Sequence, residues 1–216
     1  MAALLDAYEA TLDRRYFDFA ERAMQVALGK YYDAEAGGFY DRAADAPPMG
    51  GLDVRRKPFS DSPTPGGNAI AAIVLDRLYA FTGNATYRER AEQTLEAFAG
   101  VAPQYGLFAA THGLAVVVHA RHPLQVVVTG PDGDAQAAKL ERAAAGVFRY
   151  AKALLRVTPE VIAGDGLAPA LKQTIPHLNP NVAQALVCVE TTCHPPVTDP
   201  EKLRAFLAEG AASAAV

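Results

Sequence analysis

The feature that most constrains this chain is a repeat. Displaced by 71 positions, Leu4 falls on Leu75, Tyr8 on Tyr79, Thr11 on Thr82, Tyr16 on Tyr87, Ala20 on Ala91 and Glu21 on Glu92. Asp13 meets Asn84 in the same register. Asp and Asn are both good N-caps, so the match follows the breaks between helices as well as their faces. A repeated helical hairpin cannot bury its apolar stripe alone and must pack it against neighbouring copies. The chain is therefore expected to be mainly α, built as an array of hairpins.

The helices follow from apolar spacing. Leu4, Leu5, Tyr8 and Leu12 mark the first, and Asp13 is placed to cap a second with Tyr16, Ala20, Ala23 and Ala27 on one face. Residues 33–41, D-A-E-A-G-G-F-Y-D, read as a glycine turn with a short extended piece at Phe39-Tyr40. Residues 45–65 form a long loop with prolines at 47, 48, 58, 63 and 65. Long loops inside compact domains are usually functional or disordered. Thr64 and Pro65 are expected to start a third helix buried through Ile70, Ile73, Val74, Leu78 and Phe81. Gly83 is expected to end it, and Asn84 to cap a fourth with Tyr87, Ala91, Leu95 and Phe98 inside. A fifth helical stretch is expected from about Phe108 to Ala120.

The pattern changes at Pro123. Leu124–Thr129 and Ala153–Val157 are apolar runs separated by an Ala-rich helix over 134–150. That is a βαβ unit, with parallel strands expected. Ala185–Val189 is a third strand candidate, and Thr198 with Glu201 would form a capping box for a last helix through Leu203, Phe206 and Leu207, closed by Gly210. The Ala/Ser end, 211–216, should fray. Residues 1–122 are thus expected as one domain and 123–216 as a small α/β tail.

The net charge of −4 and the lack of a clustered basic face argue against nucleic acid. No apolar run approaches the ~18 residues of a membrane span, and no leader pattern opens the chain. Cys188 and Cys193 are five apart, unlike redox or zinc spacings, so reduced thiols in a cytoplasmic protein are expected. No cofactor and no metal are expected. The loop Gly130–Asp134 sits where a phosphate loop would, but its glycine spacing is wrong and it carries two carboxylates, so it reads as a βα turn.

The candidate ligand residues lie elsewhere. Arg55, Lys57, Asp61 and Asn68 stand between Gly51 and the third helix. Mixed polar side chains at one end of a hairpin array suit a hydroxylated ligand, and the two cations suit an anionic group. The structural alternative is that Asp61 pairs with Lys57 or Arg56 while Asn68 satisfies a backbone group of the helix's first turn. His112 could serve as acid or base if it faces the same depression. His119 and His122 read as surface or packing residues, and His177 and His194 lack an obvious acidic partner. No catalytic residue can be assigned.

Several spaced motifs then add up. They are Gly37-Gly38-Phe39-Tyr40-Asp41, the run from Arg55 through Asn68, Leu78–Asn84 with Tyr87, and the closing Ala185–Cys188 and Cys193–Pro200. Together they resemble the C-terminal half of the thioredoxin-domain-containing, spermatogenesis-associated protein family. The resemblance implies a partial (α/α) six-hairpin toroid, like N-acylglucosamine 2-epimerases and related glycosidases, with a small appended α/β unit of three short strands. It implies that a thioredoxin-like domain and the first hairpins lie outside this chain. Two functions are expected from it. One is a part of a carbohydrate-related protein that binds or isomerises a sugar-like small molecule, any epimerase- or glycosidase-like activity needing the absent N-terminal part. The other is a non-catalytic interaction module that self-associates or joins a separate N-terminal half.

Overall fold

A computed structural model describes residues 1–47, 50, 53–121, 123–150, 152–175, 179–189 and 192–213. It is mainly helical, at 56%, with a small four-stranded mixed sheet. The elements run α1 (Ala2–Thr11), α2 (Arg14–Lys30), α3 (Gly67–Thr82), α4 (Ala85–Ala99), α5 (Ala102–Tyr105), a 3-10 turn (Gly106–Ala109) and α6 (Ala110–Ala120). They continue with β1 (Leu124–Thr129), α7 (Ala135–Ala145), β2 (Lys152–Val157), α8 (Pro159–Ala163), α9 (Pro169–Thr174), β3 (Gln184–Val189), β4 (Thr192–Cys193) and α10 (Pro200–Ser213). Packing gathers Met1–Ala2, Asp18–Tyr79 and Gly83–Ala120 into one unit, and Ala3–Phe17, Ala80–Thr82 and Arg121–Val216 into another.

The repeat is visible in how the helices are joined. Leu12 at φ 51° and Gly83 at φ 71° occupy equivalent places, each in the left-handed region. The Leu12 N–H donates to the Tyr8 carbonyl at 2.7 Å, and the Gly83 N–H to the Tyr79 carbonyl at 2.8 Å. One residue on, Asp13 accepts from the Arg15 N–H at 3.0 Å and Asn84 from the Thr86 N–H at 3.1 Å. Glycine takes that conformation freely; a leucine there costs about 1–2 kcal/mol, and Leu12 is buried, which offsets it.

The second helix is rotated from its expected phase. Tyr16 is on the surface, and Phe17, Ala20 and Met24 form the buried stripe. Phe17 lies 5.4 Å from the Tyr8 ring and 6.2 Å from Phe81, edge-on to the latter. An aromatic cluster of that kind outweighs a one-residue difference in stripe phase. In α3, Val74, Leu78 and Phe81 are buried as expected, Leu75 joins them, and Ile70 and Ile73 are half-buried. Its start is later than Thr64 and Pro65: Gly66 is the N-cap, with no side-chain cap. The α4 face of Tyr87, Ala91, Leu95 and Phe98 is buried as expected. The fifth helical stretch is broken, with α5 and the 3-10 turn preceding α6.

In the other unit the sheet order is β2-β1-β3-β4. β1 and β2 are parallel, with Leu124 opposite Lys152, as a βαβ unit requires. β3 is antiparallel to β1, and β4 adds a fourth strand beyond the three expected. Val126, Val128, Ala185 and Val187 pack in one core with Leu140 of α7 and Leu203 and Leu207 of α10. Asp134 caps α7 by accepting from the Ala137 N–H, so Gly130–Asp134 is the ordinary βα turn. Asp199, not Thr198, caps α10, and that helix passes through Gly210 to Ser213. Tyr8 is fully buried here; its hydroxyl donates to the Gly166 carbonyl and accepts from the Ala168 N–H.

The cysteines depart from expectation. Cys188 and Cys193 face each other across β3 and β4 and form a disulfide. Their separation in sequence concealed this, because only the reversal between the two strands brings them together.

Candidate functional site

The long loop is not loose. It is tied to the glycine turn before it and to the helices after it by the residues singled out from the sequence. Gly37 and Gly38 have φ of 68° and 79°. A Cβ on Gly37 would collide with the Gln93 carbonyl, and one on Gly38 would crowd Asn68 Oδ1 at 3.2 Å and the Phe98 ring at 3.3 Å. Tyr32 and Phe39 bridge across this turn in antiparallel fashion, so the expected extended piece is a single bridge.

Asn68, in the first turn of α3, is 1% exposed. Its Oδ1 accepts the Phe39 N–H at 2.6 Å, while Nδ2 donates to the Phe39 carbonyl at 2.9 Å and the Pro58 carbonyl at 2.8 Å. Every hydrogen-bonding direction of the amide is nearly used. Lys57 Nζ donates to the Gly37 carbonyl at 2.5 Å and pairs with Asp33 at 2.8 Å. Asp33 is held well below the ordinary carboxylate range by that lysine, the Ala36 and Glu35 N–H groups and the Tyr40 hydroxyl. Arg55 donates to the Arg42 carbonyl at 3.0 Å and lies 3.9 Å over the Tyr40 ring.

Asp61 reaches across to the segment after α4. Its N–H donates to the Phe108 carbonyl at 2.7 Å. Its carboxylate accepts the Gly66 N–H at 2.6 Å and the Thr111 N–H at 2.7 Å. Burial raises its pKa, but the Thr111 and Gly66 donors outweigh that and the net shift is downward. Asp61 thus pins the 3-10 turn through its backbone N–H, and the first turn of α6 and the start of α3 through its carboxylate. It does not pair with Lys57 or Arg56, and Asn68 bonds the loop backbone, not its own helix.

His112 follows Thr111 into α6 and is buried. Its ring lies 5.1 Å from Phe59, which stacks on Phe98 at 4.8 Å. Burial lowers its pKa, with the Asp61 charge opposing. A histidine depressed below 6.5 in the folded state is neutral in both states above that pH. Below it the unfolded chain gains protons first, so stability falls as pH drops from about 6.5 to the folded value. His112→Phe is expected to flatten this limb of the urea midpoint against pH, leaving the separate carboxylate loss below about pH 4 in place. An unchanged limb would mean another group carries it.

Above this platform the chain is apolar and outside. Leu107 is 90% exposed and Phe108 57%, with Val101 and Tyr105 also exposed. Tyr105 lies edge-on to Phe59 at 5.2 Å, so the exposed turn is continuous with the buried rings.

A second cluster escaped sequence reasoning. Asp76 on α3 is buried, and His119 Nδ1 on α6 lies 3.0 and 3.1 Å from its two oxygens. Arg88 of α4 stands 3.9 Å from the same carboxylate and donates to the His119 carbonyl at 3.2 Å. Its only sequence signal was an aspartate within a buried stripe. His122 and His177, with Pro48 and Gly51, lie outside the described residues; His194 packs against Phe206 at 4.7 Å. Among the described residues no three His, Cys, Asp or Glu side chains gather as a metal set. No single helix there is long and apolar enough to cross a membrane.

The chain is similar to spermatogenesis-associated protein 20. It is 25% identical to the human protein over 209 residues and 23% to the rat protein over 210, each covering 94% of this chain. The mouse protein is 30% identical over 95 residues, 44% of the chain. The chain spans about a quarter (26%) of the human and rat proteins' length. No family model matches.

Proposed function

We propose that this chain is an assembly module. In this reading the platform of residues 33–68 with His112 holds the 3-10 turn rigid, and the turn presents Leu107 and Phe108 to a second helical polypeptide. That polypeptide corresponds to the remaining length of the spermatogenesis-associated protein 20 relatives. The observation that carries the reading is a nearly fully exposed leucine beside an exposed phenylalanine, on a turn that Asp61 holds by one hydrogen bond to Phe108 and a second to Thr111 in the helix that follows. Burying such side chains contributes about 1.5–3 kcal/mol each, and exposed apolar groups on a fixed backbone are a usual mark of an interface.

The test is association. Leu107→Glu with Phe108→Glu is expected to leave the circular dichroism melt near that of the parent while abolishing co-sedimentation with a polypeptide corresponding to the part of the human relative that this chain does not match. A compact monomer that ignores that polypeptide, with or without the substitutions, would end the proposal.

A second reading keeps the expected carbohydrate connection. The completed hairpin array would be an epimerase- or glycosidase-like toroid with this loop on its rim. It is favoured by His112, whose imidazole hydrogen-bonds no described residue and so could serve a hydroxylated ligand. Calorimetric titration of the reassembled protein with amino sugars tests it, and silence there removes it.

A further inference from the structure

α7 and α10 lie side by side over the sheet, packed through Leu140 and Ala143 on one and Leu203 and Leu207 on the other. Between their outer edges is a cleft of about 300 Å³ lined by Lys139, Arg142, Ala143, Pro200, Glu201 and Arg204. Lys139 and Arg142 are three apart on α7, so they share a helix face. Arg204 comes from α10, some sixty residues further along. That distance in sequence is why no basic cluster was visible there.

What marks these cations is that they converge on one cleft with their side chains uncommitted, whereas several others are tied up. Lys57, Arg42 and Lys172 are paired with Asp33, Asp53 and Asp165. Lys152 and Arg156 donate to backbone carbonyls. The side chains of Lys139, Arg142 and Arg204 make no ion pair or hydrogen bond with any described residue. Three cations face one carboxylate, Glu201, so the cleft holds two positive charges in excess on a chain whose net charge is −4. Ala143 and Pro200, which also line it, carry short apolar side chains. The first N–H groups of α10 are already taken by Asp199, so any anion here is held by side chains.

We infer that this cleft binds a phosphate monoester. Two guanidinium groups from different helices can each offer paired N–H donors to one phosphate, with Lys139 as a further point charge. A dianion matches the two-charge excess, and the volume suits a phosphate with a small organic group. The site shares no residue with the 3-10 turn and does not depend on the assembly reading.

Calorimetry with inorganic phosphate and glycerol 3-phosphate on the full chain tests it. Saturable binding is expected at low salt, weakened at least about tenfold in Arg142→Gln/Arg204→Gln. Glu201→Gln is expected to tighten it about threefold. That variant removes a repulsive charge without touching the cap, so it separates a site from a folding defect. Vesicles containing phosphatidic acid form the second arm. Vesicle binding without binding of the soluble esters would overturn the small-molecule site. So would the absence of saturation by about 10 mM, or equal binding by the parent and the double arginine variant.

Discussion

Asn68→Ala should destabilise the hairpin unit by about 3 kcal/mol. The amide makes three hydrogen bonds, and two of them serve the N–H and carbonyl of one buried residue, Phe39. Alanine leaves both groups without a partner in a space too closed for water to serve them well. Each orphaned backbone group costs about 1–3 kcal/mol; the Pro58 carbonyl, which is less enclosed, adds less. Asn68→Asp sharpens the test. Oδ1 can still accept the Phe39 N–H, but the second oxygen would confront two carbonyls where Nδ2 now donates. At neutral pH the aspartate should therefore be no better than alanine. On acidification a protonated carboxyl regains one donor, so the aspartate variant should recover relative to alanine. Urea midpoints at pH 7 and pH 4.5 decide the matter. If the alanine variant loses less than about 1 kcal/mol, Asn68 does not hold the loop as described.

This result would also separate two roles that the sequence could not. Polar residues of mixed charge at a loop suggest a ligand as readily as they suggest internal bonding, because both need the same chemistry. The difference lies in where the backbone groups are, and Phe39, Gly37, Gly66 and Thr111 are placed by folds of the chain that no spacing reveals. What periodicity could show, it showed. The left-handed stop at Gly83, the Asn84 cap, the α4 stripe and the parallel pair of β1 and β2 all follow from local rules and appear in the fold. Errors arose where a tertiary partner overrode a local preference. Phe17 displaced Tyr16 because Tyr8 and Phe81 were waiting for it. Thr64 lost the cap position because the chain from Asp61 to Gly66 is held by the aspartate itself. The cysteines paired because a two-residue strand turned back on β3.

Asp76 is the clearest case of a contact invisible in sequence, and its removal should be as costly as that of Asn68. The carboxylate is 3% exposed and lies where α3, α4 and α6 meet. It faces a histidine nitrogen in direct contact and a guanidinium at 3.9 Å. That arginine has little else: its Nη1 is buried without a hydrogen bond, and its remaining support is the His119 carbonyl and the face of Tyr79 at 5.5 Å. Asp76→Ala would leave the positive charge without its counter-ion and the imidazole without its acceptor. Breaking a buried pair from one side costs about 3–5 kcal/mol; Arg88 is a quarter exposed, 26% by side chain, which places the expected loss at the lower end. Asp76→Asn keeps an oxygen for the imidazole and gives up only the charge, so about half the loss is expected. Removing all three groups together, as Asp76→Leu, Arg88→Met and His119→Phe, should cost less than Asp76→Ala alone, because no charge is then left stranded. Chemical denaturation of the three variants measures this order. If the alanine variant proves as stable as the parent, or if the triple variant is the worst of the set, then the cluster is not what ties the three helices and the packing of Leu75, Leu78 and Leu95 must do so unaided.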